Sequence, residues 1–131
     1  MSTTIGRAGE FLTASILTEI FGFECFIVNR NGFDLLVFSK NQHIRVEVKT
    51  TAKVLIRRRS FAWQTQNGSS KKTYLNADHY DICAFVALPL RKVIFRHSSE
   101  ITAKTTRVYI SKFKELDEKE TWELACAKLK K

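Results

Sequence analysis

The chain has 131 residues, 44% of them hydrophobic and 11% aromatic, with a formal net charge of +9, which is enough apolar material for one domain with a sizeable core and too little length for two. No apolar run approaches the roughly 20 residues that cross a bilayer, and the first residues lack the charged-then-apolar order of a signal peptide, so a cytoplasmic protein is expected, or a phage-encoded one acting in a host cytoplasm. Cys25, Cys83 and Cys126 lie far apart among apolar neighbours, without zinc-like spacing, and are expected to be small buried hydrophobes in a reducing compartment.

From Ile5 to Phe21 apolar residues recur at steps of three and four (Ile5, Ala8, Phe11, Leu12, Ile16, Ile20), which predicts an amphipathic helix stopped by Gly22. Short β-branched and aromatic runs follow at 25–29, 33–38 and 43–50, separated by turn-like Asn31-Gly32 and by residues 39–42, and predict an antiparallel meander. The stretch 51–75 is basic and polar around Phe61 and Trp63; it is expected to form an extended arm or a hairpin. Further strands are predicted at 81–88, 93–97 and 107–110. The first is nearly all apolar and is placed in the sheet interior. A helix over 116–129 closes the chain, with acids in its first turn and lysines in its last, the order the helix dipole favours. The architecture expected is α/β or α+β: a central mixed sheet flanked by helices, in a single domain over 1–131.

The charge is concentrated. Residues 40–72 hold nine basic side chains (Lys40, Arg45, Lys49, Lys53, Arg57, Arg58, Arg59, Lys71, Lys72) against Glu47 alone, so this quarter of the chain carries +8 of the +9. A charge kept only for solubility would be spread out, whereas this concentration suggests a surface for a polyanion, most naturally nucleic acid. Arg57, Arg58, Arg59, Lys71 and Lys72 are expected on phosphates. Trp63 is a candidate for base stacking or for the core.

The hairpin 33–50 carries the chemistry. If residues 39–42 form its turn, Phe38 faces His43, Leu36 faces Arg45 and Asp34 faces Glu47. One face is then apolar (Phe33, Leu35, Val37, Ile44, Val46, Val48) and the other bears Asp34, Glu47 and Lys49. Directly opposed Cβ atoms are about 5 Å apart, and opposed like charges destabilise a sheet. Two converging carboxylates call for a cation, and hard oxygen donors suit Mg²⁺ or Mn²⁺. Lys49, one step along the same face, is placed to orient an attacking water and to stabilise charge developing on a phosphate. An acid-x-Lys pattern arises about once by chance in a chain of this length, and Asp117-Glu118-Lys119 is such a decoy at a helix start. The position opposite Asp34, beside the basic stretch, sets Glu47-Val48-Lys49 apart. Asp78 and Asp81 read as turn and cap residues. His43, His79 and His97 have no metal or nucleophile spacing.

The order Gly6-Arg7-Ala8-Gly9-Glu10 on a first helix, Gly32-Phe33-Asp34 opening a strand, Glu47-Val48-Lys49 ending the next, and residues 78–81 leading into a buried strand resembles the PD-(D/E)xK nuclease superfamily. Within it the likeness is greatest to small Holliday junction resolvases and to related intron-encoded and phage endonucleases. It spans roughly residues 5–97 and departs from the pattern at Phe33, where proline is usual. The resemblance implies a restriction-endonuclease-like fold, Mg²⁺-dependent hydrolysis of DNA, possession of a branched substrate and a homodimer. It implies Asp34, Glu47 and the Val48 carbonyl as metal ligands, Lys49 as the catalytic lysine, Glu10 as a further acid of the site, and Arg7 and Lys53 among the DNA-binding residues. Two rival readings are a restriction-like or homing enzyme that reads base edges, and a binding protein without catalysis on the same fold.

Overall fold

The computed structural model describes residues 3–30, 32–65 and 79–129; Lys71, Lys72, Asp78 and the turn residues around Asn67 lie outside them. In chain order the elements are α1 (Thr4–Phe21), β1 (Glu24–Arg30), β2 (Phe33–Ser39), β3 (Gln42–Thr51), β4 (Ser60–Gln64), β5 (Ile82–Ala87), β6 (Lys92–His97), β7 (Thr105–Tyr109), α2 (Ile110–Glu115) and α3 (Glu118–Cys126). The described residues form a mixed five-stranded sheet in the order β1-β2-β3-β5-β6 and a two-stranded sheet of β4 and β7. β1, β2 and β3 make the expected antiparallel meander, β5 joins β3 in parallel, and β6 returns antiparallel to β5.

Burial on both faces explains the apolar run of β5, all six of whose residues are buried. Ile82, Ala84 and Val86 belong to one core with Leu35, Val37, Ile44, Val46, Leu17 and Trp122, beneath α1 and α3. Cys83, Phe85 and Ala87 belong to a second core with Phe61, Trp63, Val108 and Phe113, beneath the β4–β7 pair and α2. The second cover lies on the sheet face that also carries Glu47 and Lys49, because paired residues of a parallel ladder share a face and Glu47 pairs with Cys83, Lys49 with Phe85.

Helix α1 has the expected limits. Thr3 accepts the Gly6 N–H at 2.9 Å, and Gly22 returns its N–H to the Thr18 carbonyl at 2.8 Å. Its orientation differs from the expected stripe. Gly9, Glu10, Thr13 and Leu17 are buried, while Ile5, Phe11 and Ile20 remain exposed. The cause is a close approach: a Cβ on Gly9 would fall inside the side chain of Thr50 on β3. Only glycine lets the two backbones come so near, and that contact fixes the helix's rotation.

Two further expectations are corrected. Within the stretch 51–75, expected as an arm or a hairpin, residues 60–64 form a buried strand, with Phe61 and Trp63 alternating inward and their pairing partner β7 more than 40 residues later, while residues 66–75 lie outside the described residues. The Trp63 indole N–H donates to the Val86 carbonyl at 3.0 Å, and the side chain is only 4% exposed, so this tryptophan is a core residue with its polar edge satisfied. The closing helix expected over 116–129 is α3, and a short helix that was not foreseen, α2, precedes it. The strand foreseen to 110 ends at Tyr109, α2 begins at once, and Asp117 then caps α3 by accepting the Lys119 N–H at 3.0 Å.

Candidate active site

The site begins where the β2–β3 ladder ends. Pairing runs from Ser39 with Gln42 to Leu35 with Val46, and the next step of the same register sets Asp34 opposite Glu47. Here a side chain takes over from the backbone, as Asp34 Oδ2 accepts the Val48 N–H at 2.9 Å. Asp34 and Glu47 carboxyls lie within hydrogen-bond reach, and the Glu47 carboxyl is pushed up to about 8. Burial is the largest cause, followed by the hydrogen bond to Asp34 and by its charge; the Lys49 ammonium and the Val48 N–H favour the ionised form but do not offset these. Near neutral pH the Glu47 carboxyl therefore tends to keep its proton.

The wall behind the pair has a low dielectric. The Cys83 thiol, fully buried beside Glu47, is pushed up by burial first and then by the Glu47 charge. The Tyr80 phenol is also pushed up, by burial and then by Cys83 and Glu47, and its hydroxyl has no hydrogen-bond partner among the described residues. In front, Asp34, Glu47 and Lys49 are partly exposed. Buried on one side and open on the other, the pair presents two hard oxygen donors suited to a divalent cation. Among the described residues no third His, Cys, Asp or Glu joins it to make a ligand cluster.

The remaining candidates are distributed as follows. Glu10 is 4% exposed on α1, and the Asn29 amide, with its nitrogen turned inward, donates to both Glu10 oxygens at 3.2 and 3.3 Å. Asn29, placed by its sequence on the strand expected over 25–29, sits with φ +46° at an irregularity of the β1–β2 pairing, a conformation that asparagine tolerates better than most residues. Arg7 is exposed on the first turns of α1, Lys53 follows β3, and Arg57 and Arg58 lie in a 3-10 turn (Ile56–Arg58) followed by Arg59, all exposed. Asp81 is a structural acid: its carboxylate accepts the Arg45 backbone N–H at 2.8 Å and pairs with the Arg45 guanidinium at 3.1 Å.

No protein-family model matches the chain, and no curated protein matches it. Among solved structures it is similar to a bacterial homing endonuclease, I-Ssp6803I, with a TM-score of 0.64 at 12% sequence identity, over 83% of this chain and 77% of that one. It is also similar to Hjc, a Holliday junction resolvase from Archaeoglobus fulgidus, with a TM-score of 0.47 at 15% identity, over 95% and 99% of the two chains. The chain therefore shares the fold of that homing endonuclease.

Proposed function

We propose that this chain is a metal-dependent endonuclease that hydrolyses phosphodiester bonds of DNA, acting as a single nuclease domain over residues 1–131. The Asp34–Glu47 contact carries the assignment. A fold gains nothing by facing two partly buried carboxyls across a strand pair, where burial first, and then the hydrogen bond to Asp34 and its charge, raise the Glu47 carboxyl to about 8; an arrangement that costs stability at a site open to solvent is the mark of a functional acid pair. Asp34 and Glu47 would hold Mg²⁺, with Mn²⁺ able to substitute, and the Val48 carbonyl would add an oxygen ligand. The bound ion would supply Lewis acidity and charge compensation at the scissile phosphate.

The protein groups do the rest. Lys49 lies close enough to Glu47 for its charge to be felt there; its ammonium would orient the attacking water and donate to the phosphate oxygens as negative charge grows. The apolar wall of Cys83 and Phe85 strengthens these interactions by excluding water from behind them. Val48, paired with Ala84 in the parallel ladder, keeps the strand from moving under the two acids. Glu10, facing Asn29, would serve as a further acid near the site rather than as a third member of the Asp34–Glu47 pair. Arg7, Lys53 and Arg57 to Arg59 would bind backbone phosphates, and the family resemblance favours a homodimer acting on branched DNA. The fold shared with a homing endonuclease supports a second reading, a sequence-specific cutter of linear duplex.

The test is cleavage of a four-way junction, a flap, a linear duplex and a single strand, in Mg²⁺ or EDTA, by the wild type and Lys49→Ala. Mg²⁺-dependent cleavage lost in the variant while DNA binding persists is expected. Tight binding that is indifferent to Mg²⁺ and to Lys49 would leave a binding protein on a nuclease fold.

A further inference from the structure

We propose that Lys114 and Ser111, together with Arg58 and Arg59, form an anchoring site for a nucleic-acid backbone phosphate on the β4–β7 cover, apart from the acid pair. This rests on the nuclease reading above and extends it to the last third of the chain, which sequence motifs left without a role.

Arg58, Arg59, Tyr109, Ile110, Ser111 and Lys114 line an open pocket of about 360 Å³. Three cations, a hydroxyl and a phenol face it, and no acid is among its described lining residues. Its two halves are locked together. Leu55 N–H donates to the Ser60 carbonyl at 2.8 Å, closing the 3-10 turn, and Ile110 N–H donates to the Arg59 carbonyl at 2.8 Å, fastening that turn to α2. Ser60 pairs with Tyr109 in the β4–β7 ladder. Arg59 is held at φ +48°, a left-handed conformation that costs a non-glycine residue energy and persists only where its surroundings enforce it. The cations are thus placed by backbone, not left on a loose tail.

Their charge is also unspent. The ion pairs among the described residues are Arg45 with Asp81 and Lys128 with Glu100, and neither involves Arg58, Arg59 or Lys114. Like charges gathered without a counter-ion favour an anionic partner, and clustered Lys and Arg next to hydroxyl donors are the common equipment for phosphate contacts. The chain reaches this point directly from the acid pair: nine residue steps separate Lys49 from Arg58, a span of at most about 30 Å even fully extended. A duplex lying over Glu47 and Lys49 would therefore bring phosphates across the pocket within about one helical turn of the cut, since about ten base pairs occupy 34 Å.

The experiment measures equilibrium binding of the substrate duplex or junction across a range of salt concentrations, in Ca²⁺ or EDTA to hold back cleavage, for the wild type, Lys114→Ala, Lys114→Arg and Lys119→Ala. Lys119 is exposed on α3, across the sheet, and controls for overall charge. Lys114→Ala is expected to lower the slope of log affinity against log salt by about one, Lys114→Arg to preserve it, and Lys119→Ala to leave both the slope and the cleavage rate unchanged. Equal slopes for Lys114→Ala and the wild type, or an equal loss in Lys119→Ala, would overturn the anchoring site while leaving the nuclease reading intact. A wild type that binds no DNA at low salt would overturn both.

Discussion

In the middle of strand β3, where pairing with β2 stops and pairing with β5 starts, the backbone meets two aspartates that do the same thing to it and opposite things to the charge. Asp81 accepts the Arg45 N–H at 2.8 Å, and Asp34 accepts the Val48 N–H at 2.9 Å. Beyond that shared bond, Asp81 finds the Arg45 guanidinium, whereas Asp34 finds the Glu47 carboxyl. Asp81 is neutralised within the fold by Arg45, whereas Asp34 meets a second acid, which is why a cation is proposed there. An acid's partner, more than its position at a strand end, separates a structural acid from a functional one.

Substitutions should break this comparison in opposite ways. Asp34→Asn keeps an acceptor for the Val48 N–H but removes the charge, so cleavage should fall by at least about 10²- to 10³-fold, the scale of losing one group that stabilises a transition state, with no loss of metal-free thermal stability. Asp81→Ala should cost about 1–3 kcal/mol of stability, mainly through the unpaired Arg45 N–H, because the Arg45–Asp81 pair is partly exposed (38% and 27%) and its Coulomb attraction is screened. Its cleavage rate per folded molecule should be unchanged. Single-turnover kinetics and chemical denaturation on both variants check the pair.

Away from the two acids, Gly9→Ala should destabilise by about 1–3 kcal/mol through overpacking against Thr50, and calorimetry would show it as a lowered Tm. The pH dependence is subtler. Glu47 titrates at about 8 in the folded chain and near 4.3 when unfolded, so between those values the folded state holds a proton that the unfolded state has released. Metal-free stability should therefore fall as pH rises from about 4.5 through 8. Glu47→Gln should flatten that part of the Tm profile, and a profile that keeps its slope in the variant would assign it to other groups.

The sequence made the hairpin legible because its pattern is local. Alternation fixed the face of Leu35, Val37, Ile44, Val46 and Val48, though not of Phe33, which packs against the second core; a short turn fixed the register, and Asp34 against Glu47 followed by counting. Interactions between distant segments were hidden. The strand Ser60–Gln64 lay inside a run whose arginines and lysines outweighed the alternation of Phe61 and Trp63, and its partner is β7, far along the chain. The rotation of α1 depends on one glycine meeting Thr50, which no helical period encodes. Lys114 and Ser111 gain their place only when Ile110 bonds to Arg59.

The most direct test of the acid pair is calorimetric titration of Mg²⁺ or Mn²⁺ into the wild type and Asp34→Asn at pH 7 and pH 9, in buffers of different ionisation heat. The wild type should bind metal and release a proton at pH 7, with the release fading at pH 9 where Glu47 is already ionised, and Asp34→Asn should lose most of the affinity. Equal metal binding by the two proteins, without proton release at pH 7, would contradict a metal site built on Asp34 and Glu47.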